Sequence, residues 1–247
     1  MRGVCCVVAA AVCWAHGLAE AGVWQQRQGT SLVIQTQEYL RAEAEDRLFQ
    51  QSVLRNYAEV PIGRYSIGYK AGYAFQQAEG EDYLNQASGF NEAELFVSRH
   101  TTFDRSAFAL RGSWIIPTTK VARGQRQMGQ DAAAEFGSSL GSSRGSLFAE
   151  GYLGYRRSFG MDADQFRADT VVGYHAGPLL LLAQTFTTRS LGGEEPGGLD
   201  FDLTQASVSA VMPVHGSLSL EIGGRADLAA DGFDEGRSVF FSLWWRR

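Results

Sequence analysis

The feature that most restricts what this chain can become is a two-residue alternation of apolar and polar side chains, repeated along most of its length. It is clearest over 64–76. There Tyr65, Ile67, Tyr69, Ala71, Tyr73 and Phe75 share one face, while Arg64, Ser66, Gly68, Lys70, Gly72 and Gln76 share the other. A helix would scatter those aromatic rings around its axis, because its period is 3.6 residues. A strand separates them, giving one face suited to lipid and one suited to water.

The alternation returns three times with comparable clarity. Over 108–116, Phe108, Leu110, Trp114 and Ile116 oppose Ala109, Arg111 and Ser113. Over 206–212, Ala206, Val208, Ala210 and Met212 oppose Ser207, Ser209 and Val211. Over 218–226, Leu218, Leu220 and Ile222 oppose Ser219, Glu221, Gly223 and Arg225. Each run is about ten residues long, which is what a tilted strand needs to cross a bilayer. Beyond the N-terminal segment no apolar run reaches the roughly 18 residues of a spanning helix.

Segments of this kind fall at 30–41, 48–60, 64–76, 91–102, 105–117, 131–141, 146–158, 165–176, 178–189, 200–212, 217–228 and 236–246. The chain therefore reads as all-β, a closed antiparallel transmembrane β-barrel of about 12 strands. The segments around 50–55 and 132–140 alternate least, and the second of these also reads as part of a long loop. Short connections at 61–63, 103–104, 177–178 and 215–216 carry the Gly, Pro and Asp that tight turns use. Longer ones at 78–89, 118–130, 160–164, 191–199 and 231–235 alternate with them, so the barrel has a short-turn end and a long-loop end. With 29 Gly and only 5 Pro, the composition suits close-packed strands.

The N-terminus has the three parts of a secretory signal: Arg2, an apolar stretch over 4–14, and the small-residue pattern Ala19-Glu20-Ala21. This places a signal peptide at 1–21, cleaved after Ala21, and the barrel at 22–247. Cys5, Cys6 and Cys13 all leave with it, so thiol chemistry and Cys-ligated metals are excluded from the mature chain. Removal takes one base, Arg2, and one acid, Glu20, and leaves the net charge at −5. Charges of both signs are spread through the strands with no basic patch, which argues against a nucleic-acid partner.

Taking the more apolar face as the lipid face, the residues pointing inward include Lys70, Glu92, Glu94, His100, Arg111, Glu150, Arg156, Arg167, Asp169, Glu221 and Arg225. Such a set can form a charged eyelet that selects solutes by sign and size. It can equally form a lumen bridged by ion pairs, since buried charges need partners. His100 and His175 are the candidates for a base or a ligand, but no His-x-x-His or His-Glu-x-x-His spacing exists, and neither a metal nor a cofactor is implied. Ser98 and His100 share a face two residues apart and make the best nucleophile and base pair the sequence offers. No oxyanion donor is marked beside them. The Gly-rich stretches at 137–145 and 192–198 lack the Lys-Ser/Thr ending of a phosphate loop and read as strand ends or loops.

The last segment, with Phe240, Phe241, Trp244 and Trp245, resembles the aromatic terminal strand that outer-membrane barrels offer to their assembly machinery, although it ends on Arg246-Arg247. Trp244 and Trp245 also suit an interfacial aromatic girdle. Further segments resemble the XagA-type family of outer-membrane barrels found beside exopolysaccharide genes. They are Gly22-Val-Trp24 followed by Gly29, the stretch 57–63 (Tyr-Ala-Glu-Val-Pro-Ile-Gly), the stretch 166–173, and 179–186. The resemblance implies a place in envelope transport or surface-polymer handling, with lipid, lipopolysaccharide and export-complex components as partners, and no catalytic residues.

The functional expectation is a pore or transport-associated channel rather than an enzyme, resident in the bacterial outer membrane. Its rivals are a lipid- or lipopolysaccharide-modifying enzyme and a scaffold barrel of an export complex. A soluble periplasmic barrel would alternate too, with its aromatic face turned inward. Twelve strands closed round an apolar interior, however, leave a space expected to be too wide for side chains to fill.

Overall fold

A computed structural model describes residues 30–44, 47–80, 83–118, 131–192, 200–231 and 234–247. The expected signal segment, the residues Gly22, Trp24 and Gly29, and most of the 118–130 and 191–199 connections lie outside them. Among the described residues there are twelve strands and no helix. They are β1 (Leu32–Ala44), β2 (Arg47–Ile62), β3 (Tyr65–Gly80), β4 (Tyr83–Phe103), β5 (Ser106–Ile115), β6 (Ala133–Arg144), β7 (Leu147–Ser158), β8 (Gln165–Ala176), β9 (Leu179–Ser190), β10 (Asp202–His215), β11 (Leu218–Asp231) and β12 (Gly236–Arg246).

Each strand pairs antiparallel with its sequence neighbours, and β12 pairs with β1, so the sheet closes into a barrel without an edge. Closure runs over eleven residue pairs, from Leu32 opposite Arg246 to Ala42 opposite Gly236. It continues one residue further, where Ser31 and Arg247 exchange backbone hydrogen bonds. A closed ladder satisfies every strand's backbone polar groups within the wall, the condition for non-helical chain to sit in hydrocarbon.

The two weakest sequence segments are strands: β2 and β6 are both fully laddered. The expected loop at 78–89 is instead strand. β3 runs to Gly80 and β4 begins at Tyr83, so this hairpin extends above its neighbours. Its polar residues hid the alternation because they lie at and beyond the lipid boundary, where neither face needs to be apolar. At the other end all five connections are two-residue turns, including one at Gly145-Ser146 that the sequence reading missed. The first turn residue has positive φ each time: Gly63 (62°), Asp104 (47°), Gly145 (61°), Gly177 (63°) and Gly216 (54°). That is the geometry a two-residue hairpin of right-twisted strands requires, and Gly adopts it without steric cost.

The exterior is an apolar belt. Tyr65, Ile67, Tyr69 and Phe75 of β3, Leu95 and Val97 of β4, and Val239, Phe241 and Leu243 of β12 are all exposed. Ten residue steps from Tyr65 to Phe75, at about 3.3 Å each and tilted by about 40°, span about 25 Å, the height of a barrel's lipid-facing band. Rings rim it at both ends, with Tyr65, Phe103, Tyr174 and Trp245 toward the short turns and Phe75, Trp114, Phe136 and Phe166 toward the long loops. Trp244 departs from the expected girdle. It points inward, 3% exposed, because it alternates with Trp245 on the same strand.

Candidate functional site

The interior is layered. Toward the short turns it holds an apolar collar of Leu32, Ile34, Tyr57, Phe96, Leu182, Val211 and Trp244, against which Phe148, Val171 and Leu180 pack. Tyr57 and Phe96 stack with ring centroids 5.6 Å apart. The rings fit because cross-strand partners are glycines. Phe96 lies over Gly68, Phe148 over Gly173, and Phe240 over Gly223, each so close that a Cβ on the glycine would collide with the ring. The collar also encloses two carboxylates. Glu221 accepts from Trp244 Nε1 (2.9 Å) and Ser209 Oγ (2.6 Å), and Glu59 accepts from Tyr57 Oη (2.5 Å).

Above the collar the interior is charged. Glu38 of β1 accepts from Arg55 of β2, from Arg225 of β11 at 3.1 Å and from Ser238 of β12 at 2.5 Å. Half the circumference away, Glu135 of β6 accepts from Arg156 of β7 (2.8 Å), Arg167 of β8 (3.1 Å) and Tyr152 of β7 (2.6 Å). Lys70 of β3 and Glu94 of β4 pair at 3.3 Å between the two clusters. Arg225 also lies 5.5 Å and 5.6 Å above the rings of Phe186 and Phe240, which cover its apolar flank. One carboxylate facing two guanidiniums is therefore built twice, on opposite walls.

The residues expected inside face inward wherever their side chains are described; of Glu92 only the backbone is described, and it pairs with Gly72. Beside it Asn91 is bulged, so that Phe90, Ser88 and Gln86 point outward again. Lys70 and Glu94 meet each other, Arg167 lies 3.7 Å from Asp169, and Arg111 stacks 4.3 Å over Phe96 while donating to Ser98 Oγ at 3.1 Å. Sequence reasoning missed Glu38, Arg55, Glu59, Glu135 and Asp227. Pairing would have found two of them: Glu135 sits opposite Arg156, and Asp227 sits opposite Gln205, which donates to it across the β10–β11 ladder.

The proposed Ser98 and His100 pair does not form. Ser98 is engaged by Arg111, whereas His100 Nε2 is 2.8 Å from Ser66 Oγ and 3.7 Å from Glu59 Oε1. Serine and carboxylate thus address the same ring nitrogen, which is not the relay of a catalytic triad, where the acid holds the far nitrogen. All three side chains are buried in the wall of the collar. His175 stands exposed at the short-turn end of β8, its ring 6.3 Å from that of Phe148. Among the described residues no group of His, Cys, Asp and Glu is arranged to hold a metal.

An apolar belt outside, a closed ladder and a hydrophilic interior define an outer-membrane β-barrel. Comparison with solved structures agrees. The chain is similar to an outer membrane channel from Pseudomonas putida F1, at TM-score 0.74 and 10% identity over 90% of this chain and 97% of that one. It is similar to the NanC porin, at TM-score 0.58 and 10% identity over 86% and 98%. It is also similar to the translocator domain of the autotransporter NalP from Neisseria meningitidis, at TM-score 0.53 and 13% identity over 90% of both chains. At these identities the likeness is one of fold. No family model and no curated protein matches the sequence.

Proposed function

We propose that this chain is a channel of the bacterial outer membrane that passes small hydrophilic solutes along its charged interior, with the apolar collar as its narrowest part. The observation that carries the reading is the chemistry of the buried lumen. Side-chain atoms of Gln51, Asn91, Ser113, Gln184 and Gln205 are buried there without a hydrogen-bond partner among the described residues. Groups of that kind are satisfied by water, and a barrel that only needed to stand in the membrane could have filled the same space with apolar side chains at less cost. The short turns then face the periplasm and the long-loop end faces outward, the usual arrangement for such barrels.

The resemblance to XagA-type barrels adds a context, surface-polymer export, in which the channel works beside envelope components, and the aromatic β12 serves as the signal to the assembly machinery. Reconstitution into a planar bilayer tests the central claim: discrete, ohmic conductance steps are expected from the purified barrel. A preparation that is folded, as shown by faster migration of the unheated protein on a denaturing gel, yet leaves the bilayer silent would remove the channel reading.

A further inference from the structure

The outer wall carries a feature that the channel reading does not use. On β1–β4, at the long-loop edge of the apolar belt, lies a groove of 430 Å³, a volume within the roughly 300–1,000 Å³ of small-molecule sites. None of its lining residues is charged. Tyr39, Gln50, Ser52, Phe75, Gln77 and Gln86 give it outward-facing side chains, and the strand positions between them form its floor. Tyr39 and Phe75 are the cross-strand neighbours of Ser52 on either side, so their rings are rooted about 10 Å apart over a short side chain. That is a slot with two aromatic walls.

The rim of the slot is made of amides. Gln50 Nε2 donates to Tyr39 Oη at 2.7 Å, and Gln86 Nε2 donates to Gln77 Oε1 at 3.2 Å. A primary amide has capacity for about four hydrogen bonds, so each of these keeps donors and acceptors for a neighbour. Directly below, Tyr73 packs edge-on against Phe75 (5.3 Å) and Phe90 (5.4 Å), and exposed Leu54 pairs with Tyr73, extending an apolar bed into the belt. Amides and aromatic faces match hydroxyl groups on a ring, and none of the lining residues is a cation that would favour an anionic phosphate over them. The polar slot continues into an apolar bed at the depth where headgroups meet acyl chains, so the matching molecule is an amphiphile. We infer that the groove binds the uncharged sugar headgroup of an outer-leaflet glycolipid, whose acyl chains lie over Tyr73, Phe90 and Leu54. This holds whether or not the barrel conducts.

The test uses the full barrel in nanodiscs of equal glucosyl diacylglycerol and phosphatidylglycerol with the same acyl chains, read by native mass spectrometry. The barrel should retain the glucosyl lipid over phosphatidylglycerol by about tenfold, the effect of one or two hydrogen bonds. A Gln50→Leu/Gln77→Leu variant should lose that preference, and Phe75→Leu should weaken it, with folding of both checked by the gel shift. Equal retention of the two lipids, preference for phosphatidylglycerol, or unchanged preference in both variants overturns the proposal. So does displacement of the lipid by millimolar maltose, which would assign the slot to a free saccharide. A dimer seen for the parent chain and absent from the variants would assign it to a second copy of the barrel and overturn it equally.

Discussion

Glu38 is buried among three donors from three other strands, and its neighbourhood shows what single residues contribute. Replacing it with alanine leaves Arg55 and Arg225 buried in the lumen without their shared carboxylate. Breaking a buried pair from one side costs about 3–5 kcal/mol, most of it the desolvation of the charge left behind. Glu38→Ala should therefore lower unfolding stability by that amount in a urea titration of the barrel in detergent micelles. The exposed pair of Arg41 and Glu43 on the same strand is the control. Water screens it, so Arg41→Ala should cost at most about 1 kcal/mol. Equal losses from the two variants would mean that the lumen around Glu38 is as wet as the surface, and the ion-paired interior would have to be redrawn.

At the scale of elements, the wall is built from strand pairs in which a ring on one strand lies over a glycine on the next, and the inserted Cβ decides the outcome. Gly68→Ala would place a methyl group against the Phe96 ring and the Ala58 carbonyl, whereas Gly112 has open space at the same position. Overpacking of that kind costs about 1–3 kcal/mol, so Gly68→Ala should be destabilised relative to Gly112→Ala in the same urea titration. Similar midpoints for the two would show that the ring moves aside freely. Most strands were legible in the sequence because lipid on one side and polar lumen on the other impose opposite demands on alternate residues. β1 was the exception inside the membrane. Leu32, Ile34 and Leu40 face the interior while Gln35 faces outward, so the rule of apolar residues outward sends Glu38 to the wrong face. The collar accounts for the inversion at Leu32 and Ile34, which belong to it. Glu135 escaped for a different reason: its outward neighbours on β6 include Ala134 and Ser138, which carry little apolar signal.

For the whole molecule, twelve strands were expected to be too many to close round a filled apolar interior, and here, round a charged one, most inward residues are buried. The difference lies in which residues point in. Arginine and aromatic side chains reach far from the wall, and the two carboxylates on opposite walls anchor four guanidiniums in the space between. The collar crowds the lower lumen with apolar side chains, and on the proposed channel reading it is the narrowest part of the path. Shortening two of its apolar members, as in Ile34→Ala/Leu182→Ala, orphans no hydrogen bond and leaves the charged layer intact. Each truncation costs about 2–5 kcal/mol, so folding must be verified by the gel shift before recording. If the collar is the narrowest point, this variant should conduct more current per channel than the parent chain with little change in ion selectivity, because neither truncated side chain is charged and every charged group of the lumen is kept. Unaltered conductance in a folded variant would place the constriction in the charged layer instead, and an Arg156→Ala barrel, altered within that layer, would then be the one to conduct more.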